Sequence, residues 1–281
     1  MPDFTLPPSA SVPLVPNLSS RVLRGVIRWQ ERRKKRQANH AAHPTDAQEC
    51  HHAAATDPDA KPAPLAPEHS DTHRHFLHAL RRAMDTPSFP QRLSALPLRR
   101  VIAVKIPGAT GLLSARLYVP RGRVRGAVLY LHGGGFVHCG LNSHHGICCR
   151  LARESGAAVL LPDYALAPEH PFPAAVEDAR AALCWLARAS ARYWGGQVGV
   201  AGDSAGGNLA AVLAQEGRAG GCPDPALQLL DYPSLYGRNN LPSQATYDDG
   251  YFLSPPFLEW YAARYVQRDG ERAPPPFVPG P

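Results

Sequence analysis

Gly202-Asp203-Ser204-Ala205-Gly206-Gly207 follows the largely apolar run Gln197 to Ala201 and precedes Asn208-Leu209-Ala210-Ala211-Val212-Leu213-Ala214. This order reads as strand, sharp turn, helix. A G-x-S-x-G turn in that setting holds its serine in a strained conformation at the top of a sheet, and the small residues around it let strand and helix pack closely. Ser204 is the candidate nucleophile.

Working upstream, Gly126 to Leu131 is a continuous apolar run, as expected of a strand buried on both faces, and His132-Gly133-Gly134-Gly135-Phe136 stands at its carboxyl end. Hydrolysis of an ester passes through an oxyanion that needs preorganised donors, and amides in a glycine run can approach it because no Cβ intervenes. Two buried parallel strands end on the same sheet edge. Three amides are therefore expected to converge in front of Ser204, two from among Gly133, Gly134 and Gly135 and one from Ala205. A phosphate-binding reading of the glycines fails for want of a following Lys-Ser/Thr or of G-x-G-x-x-G spacing.

The remaining pattern alternates strands and helices, which implies a mostly parallel sheet with right-handed crossovers. Strands are expected over 99–106 and 113–119, joined by a turn-rich link as a hairpin, then over 156–161 and 226–230. Helices are expected over 144–155, 174–189 and 255–267, with Val176, Leu183 and Leu186 inward, and a short one around Phe76 to Met84. The folded domain is expected over 71–281, with its core at about 99–268.

Residues 1–70 have the composition of disorder. Eight basic residues between Arg21 and Arg36, against Glu31, account for the whole net charge of +7. The basic balance thus describes a leader and not a nucleic-acid-binding face. The six cysteines are scattered without C-x-x-C spacing, which favours a reducing compartment. The histidines near Cys50 match no closed tetrahedral spacing, so no metal site is expected. With no signal-like start and no run of ~18 apolar residues, a soluble cytoplasmic protein is the expectation.

Three motifs, H-G-G-G-F at His132, D-Y-x-L-A-P-E-H-P-F-P-A at Asp163 to Ala174 and G-D-S-A-G-G at Gly202, stand here in one order. In this the chain resembles the hormone-sensitive-lipase-like carboxylesterases of the α/β-hydrolase fold, from about Val101 to Tyr265. The resemblance implies Ser204 as nucleophile, Gly134, Gly135 and Ala205 as oxyanion donors and Gly133 as a shaper of that loop. It implies a structural role for Glu169 and His170, short to medium acyl esters as small-molecule substrates, no cofactor, and a cap formed by segments before the first strand and after the sixth.

The resemblance also implies an acid and a histidine after the serine, in the order Ser, Asp/Glu, His. No histidine follows His170, and no D-P-L-x-D motif is present. The expectation is a chain short of about two β-α units, roughly 60 residues at ~30 each, with an apolar edge at 226–230 prone to self-association. Asp231, at the end of that strand, is the best-placed surrogate acid. His138 and His145 lie near the glycine loop but on the side opposite the usual base. Activity is expected to be low, and the alternative is a non-catalytic protein that binds ligand in the acyl pocket.

Overall fold

A computed structural model of the chain describes residues 71–86, 93–235, 253 and 255–266, all within the compact unit Asp71–Pro281. The basic leader with its histidines, Asp248, Asp249 and the proline-rich last residues lie outside the described residues. The elements are α1 (Asp71–Asp85), β1 (Arg100–Pro107), β2 (Leu112–Val119), β3 (Ala127–Leu131), α2 (His145–Ser155), β4 (Ala158–Pro162), α3 (Ala174–Tyr193), β5 (Val198–Asp203), α4 (Ala205–Arg218), β6 (Leu227–Asp231) and α5 (Pro255–Tyr265). No described helix is long and apolar enough to cross a membrane.

The six strands form one sheet in the order β1-β2-β4-β3-β5-β6. The expected hairpin is present: β1 and β2 pair antiparallel along their length, and β2 pairs antiparallel with β4. From β4 onward all pairing is parallel. Leu131 at the end of β3 lies opposite Gly202 near the end of β5, so the two glycine-bearing turns emerge side by side.

Continuous apolar runs gave buried strands because both faces of the parallel part are covered. Tyr130, Val159, Leu161 and Ala201 pack with Cys148, Cys149 and Ala152 of α2 in one cluster. The alternate residues Leu129, Leu160 and Val200 are fully buried and, by the period of two along a strand, point to the other face. There α3 and α4 pack on each other and on the sheet. Val176, Leu183 and Leu186 of α3 are buried as their spacing predicts. The helix runs four residues beyond the expected end, to Tyr193, because Ala191-Arg192-Tyr193 carries no helix breaker before Gly195.

The apolar edge expected at 226–230 is present in β6. It lies at the edge of the sheet, and Leu227 and Leu229 are 59% and 51% exposed.

Before β1, α1 is clamped to the loop that follows β3. Arg81 Nε donates to Val137 O at 2.8 Å and Nη2 to Ala167 O at 2.9 Å, while Nη1 and Nη2 grip the Glu169 carboxylate at 2.8 and 2.7 Å. At the end of the helix, Asp85 accepts from the amides of Asn142 and Ser143. Glu169, expected to be structural, has this part in the fold. Arg81→Ala removes donors from two carbonyls and should lower stability by about 2 kcal/mol in urea unfolding, since hydrogen bonds to charged groups contribute ~1.5–3 kcal/mol. Glu169→Ala leaves the backbone bonds in place and should cost less than ~1 kcal/mol, its carboxylate being half exposed.

Candidate active site

Ser204 is at the junction of β5 and α4 with φ 51° and ψ −116°, a left-handed conformation that costs a non-glycine residue of order 1–3 kcal/mol. Its backbone is fixed from both sides: the amide donates to Asp231 O at 3.0 Å, and the carbonyl accepts from the Ser234 amide at 3.1 Å. Asn208 adds a side-chain bond to Ser234 O at 2.7 Å. The helix can start so close to β3 only because residue 206 is glycine. A Cβ there would collide with the Leu131 and His132 carbonyls.

The Asp203 carboxylate joins this turn to the glycine loop. Oδ1 accepts from the Gly133 amide at 3.0 Å and from the Tyr130 hydroxyl at 3.0 Å, and His144 Nε2 lies 3.1 Å from the same oxygen. His144 Nδ1 in turn meets Ser143 Oγ at 2.9 Å. Asp203 was expected to be a structural carboxylate, and its bonds are of that kind. Burial works to raise its pKa, but the His144 hydrogen bond and charge, the Tyr130 hydroxyl and the Gly133 amide together outweigh it and hold the carboxyl below its ordinary value.

Gly133 needs a correction. Its amide is engaged by Asp203, so it cannot also be directed at an oxyanion, and its place is in shaping the loop. The loop's candidate donors are then Gly134 and Gly135. Gly134 closes a tight turn by accepting from Val137 and His138. Gly135, at φ 60°, lies under the Tyr261 ring of α5, where a side chain would clash. Ala205 is the first residue of α4, and its amide is one of the four that a helix start leaves without an intrahelical acceptor.

The D-Y-x-L-A-P-E-H-P-F-P-A stretch supports the loop from below. Tyr164 donates to His132 O at 2.6 Å and stacks on the His132 ring at 4.2 Å. Ala167 donates to Phe136 O, and Phe136 stacks on Tyr265 of α5 at 3.7 Å. Elements before β1 and after β6 thus meet over this loop, as Phe76 of α1 also does edge-on with Trp260 of α5.

The other sequence candidates lie elsewhere. His138 Nε2 meets the Tyr261 hydroxyl at 2.6 Å, and His145 Nδ1 meets Arg116 and the Tyr118 hydroxyl. No described histidine is hydrogen-bonded to Ser204. Asp231 reaches the serine through its backbone carbonyl, with its side chain exposed on β6. His144 and Tyr261 were not singled out from the sequence. A polar residue directly before a helix is the one local sign His144 offers.

A model of the alpha/beta hydrolase fold family matches residues 128–280. The chain belongs to the α/β-hydrolase family. Among its relatives, the esterase LipI of Mycobacterium tuberculosis is 41% identical over 206 residues, covering 68% of this chain and 63% of the relative. An ethyl acetate hydrolase of Pseudomonas putida is 40% identical over 156 residues, covering 54% of this chain and 49% of that protein. The esterase of Pyrobaculum calidifontis superposes with a TM-score of 0.66 at 38% identity, covering 72% of this chain and 68% of that one. The resemblance to hormone-sensitive-lipase-like esterases is borne out. The chain spans between about half and two thirds of the length of these curated relatives.

The buried imidazoles give this α/β-hydrolase domain a defined response to acid. Burial, then the charge of His144, push His132 down from 6.5 to about 3, and burial likewise takes His138 to about 4. Between pH 6.5 and those values the unfolded chain binds protons that the folded chain refuses, so stability falls as pH falls through this window. Asp203, depressed below 3.8, contributes in the same direction at the acid end, where its protonation removes its stabilising bonds. Urea midpoints should drop from pH 7 to pH 4. His132→Asn, which keeps a donor near Gly133 O, should lessen the slope by up to ~1.4 kcal/mol per pH unit, the value of one proton.

Proposed function

We propose that this chain is built as a serine-dependent carboxylic ester hydrolase. Ser204 attacks the ester carbonyl, the amides of Gly134, Gly135 and Ala205 receive the oxyanion, and no cofactor takes part. The observation that carries this reading is Ser204 in a strained φ 51° turn, joined through Asp203 to the glycine loop. Strain of that kind is retained where the surroundings over-determine it, as at a nucleophile that must stand clear of the sheet. That its relatives include an esterase and an ethyl acetate hydrolase supports short to medium acyl esters as substrates.

Turnover of this chain is low in the same reading. A serine hydroxyl needs a base within hydrogen-bond reach, and the histidines of this sequence run no further than His170. In a comparable hydrolase, loss of the base costs ~10⁶ in kcat, while oxyanion hole and binding retain ~10³–10⁴ over water. Asp231 alone does not replace an imidazole. A second reading follows from the same observation: a serine turn with its glycine loop in order, and no base beside the serine among the described residues, can serve to hold a ligand in an acyl pocket without hydrolysing it.

The two are separated with a p-nitrophenyl short-chain ester and a fluorophosphonate probe. Slow turnover and labelling, both lost in Ser204→Ala, are the expected result. Ligand-dependent thermal stabilisation with neither turnover nor labelling would favour the binding protein and end the hydrolase proposal.

A further inference from the structure

At the far ends of β3 and β5 from Ser204, the structure holds a cavity of about 530 Å³ whose lining includes Arg99, Arg123, Arg125, Tyr193, Trp194 and Gln197. Its size falls within the ~300–1,000 Å³ of small-molecule sites. No carboxylate lines it. None of the three guanidinium groups has a side-chain hydrogen bond or ion pair among the described residues, whereas Arg81, Arg153 and Arg180 are each paired with a glutamate. Three like charges around one hollow repel each other, and an anion placed among them relieves that repulsion.

The walls are held in place by backbone bonds. Gly126 donates to Trp194 O at 2.7 Å and Ala127 to Gln197 O at 3.0 Å, which fixes the turn after α3 against the start of β3. Ser190 Oγ donates to Gln197 O at 2.8 Å, and Arg99 is tied to Val119 O at 3.0 Å. The indole of Trp194 thus sits on a fixed turn beside the arginines. The Tyr193 ring of this wall carries the Arg192 guanidinium at 5.4 Å.

Guanidinium forks match phosphate oxygens in pairs, and an indole face accepts a flat ring. We propose that this cavity binds a small organic anion with a phosphate beside a flat ring, a nucleoside monophosphate in size and charge. The site is separate from the serine turn and does not depend on the hydrolase reading.

The test is calorimetric titration of the full chain with adenosine monophosphate, ribose 5-phosphate and adenosine. The expected result is saturable binding of the monophosphate at one site, at least tenfold tighter than the charge-only and ring-only probes, and weakening as salt rises. The triple variant Arg99→Gln, Arg123→Gln, Arg125→Gln should lose at least tenfold in that affinity. Because the basic leader is the same in both proteins, the difference reads the cavity. Trp194→Leu should bring the monophosphate down to the affinity of ribose 5-phosphate while leaving the latter unchanged. Equal binding by parent and triple variant, adenosine binding as tight as its monophosphate, or no saturable binding would overturn the proposal. So would loss of co-sedimentation with phosphatidylserine vesicles in the triple variant without monophosphate binding by the parent, which would assign the surface to lipid.

Discussion

The site rests on one carboxylate. Asp203 belongs to the serine turn by sequence and to the glycine loop by its bonds, because the Gly133 amide, the Tyr130 hydroxyl and His144 all converge on it. Charge-assisted bonds of this kind are stronger than neutral ones. Little exposed to water, they fix the spacing of two turns that no covalent link joins. From Asp203 the chain of contacts runs through His144 to Ser143, and from the Ser143 amide to Asp85 on α1. The segment before the sheet is thereby connected to the serine turn without touching Ser204 itself.

The parts legible in the sequence were those with local signatures. Apolar runs of five or six residues identified β3, β4 and β5, and the glycine spacing around Ser204 identified the sharp turn at its end. Parallel pairing of β3 with β5 followed from the alternation of strands and helices, and with it the meeting of the two glycine turns. Less legible were contacts between residues far apart along the chain. His144 and Asp203 are 59 positions apart, His138 and Tyr261 are 123, and Arg81 and Val137 are 56. No periodicity encodes such pairs. The engagement of the Gly133 amide by Asp203 was hidden for the same reason, since a glycine run looks equally available at each of its amides.

Charge offers a related lesson. Summed over the sequence, the basic excess resides in the leader, and the remainder is neutral. Neutrality is a sum and not a distribution. Glutamates pair with Arg81 and Arg180 on two sides of the fold, while Arg99, Arg123 and Arg125 gather where no acid answers them. Residues just before β1, on the link before β3 and on the turn after α3 come together there only through the order of strands in the sheet.

The backbone of Ser204 is bonded to Asp231 and Ser234, at and just beyond an edge strand of the described sheet, and β6 is also the strand with the largest share of exposed side chains. Strands at a margin open at lower free energy than those at the centre. Ser204, at φ 51°, therefore takes its alignment from the margin of the described sheet. Loss of reactive geometry and loss of the fold are then separate events on a heating or denaturant scale, the first preceding the second.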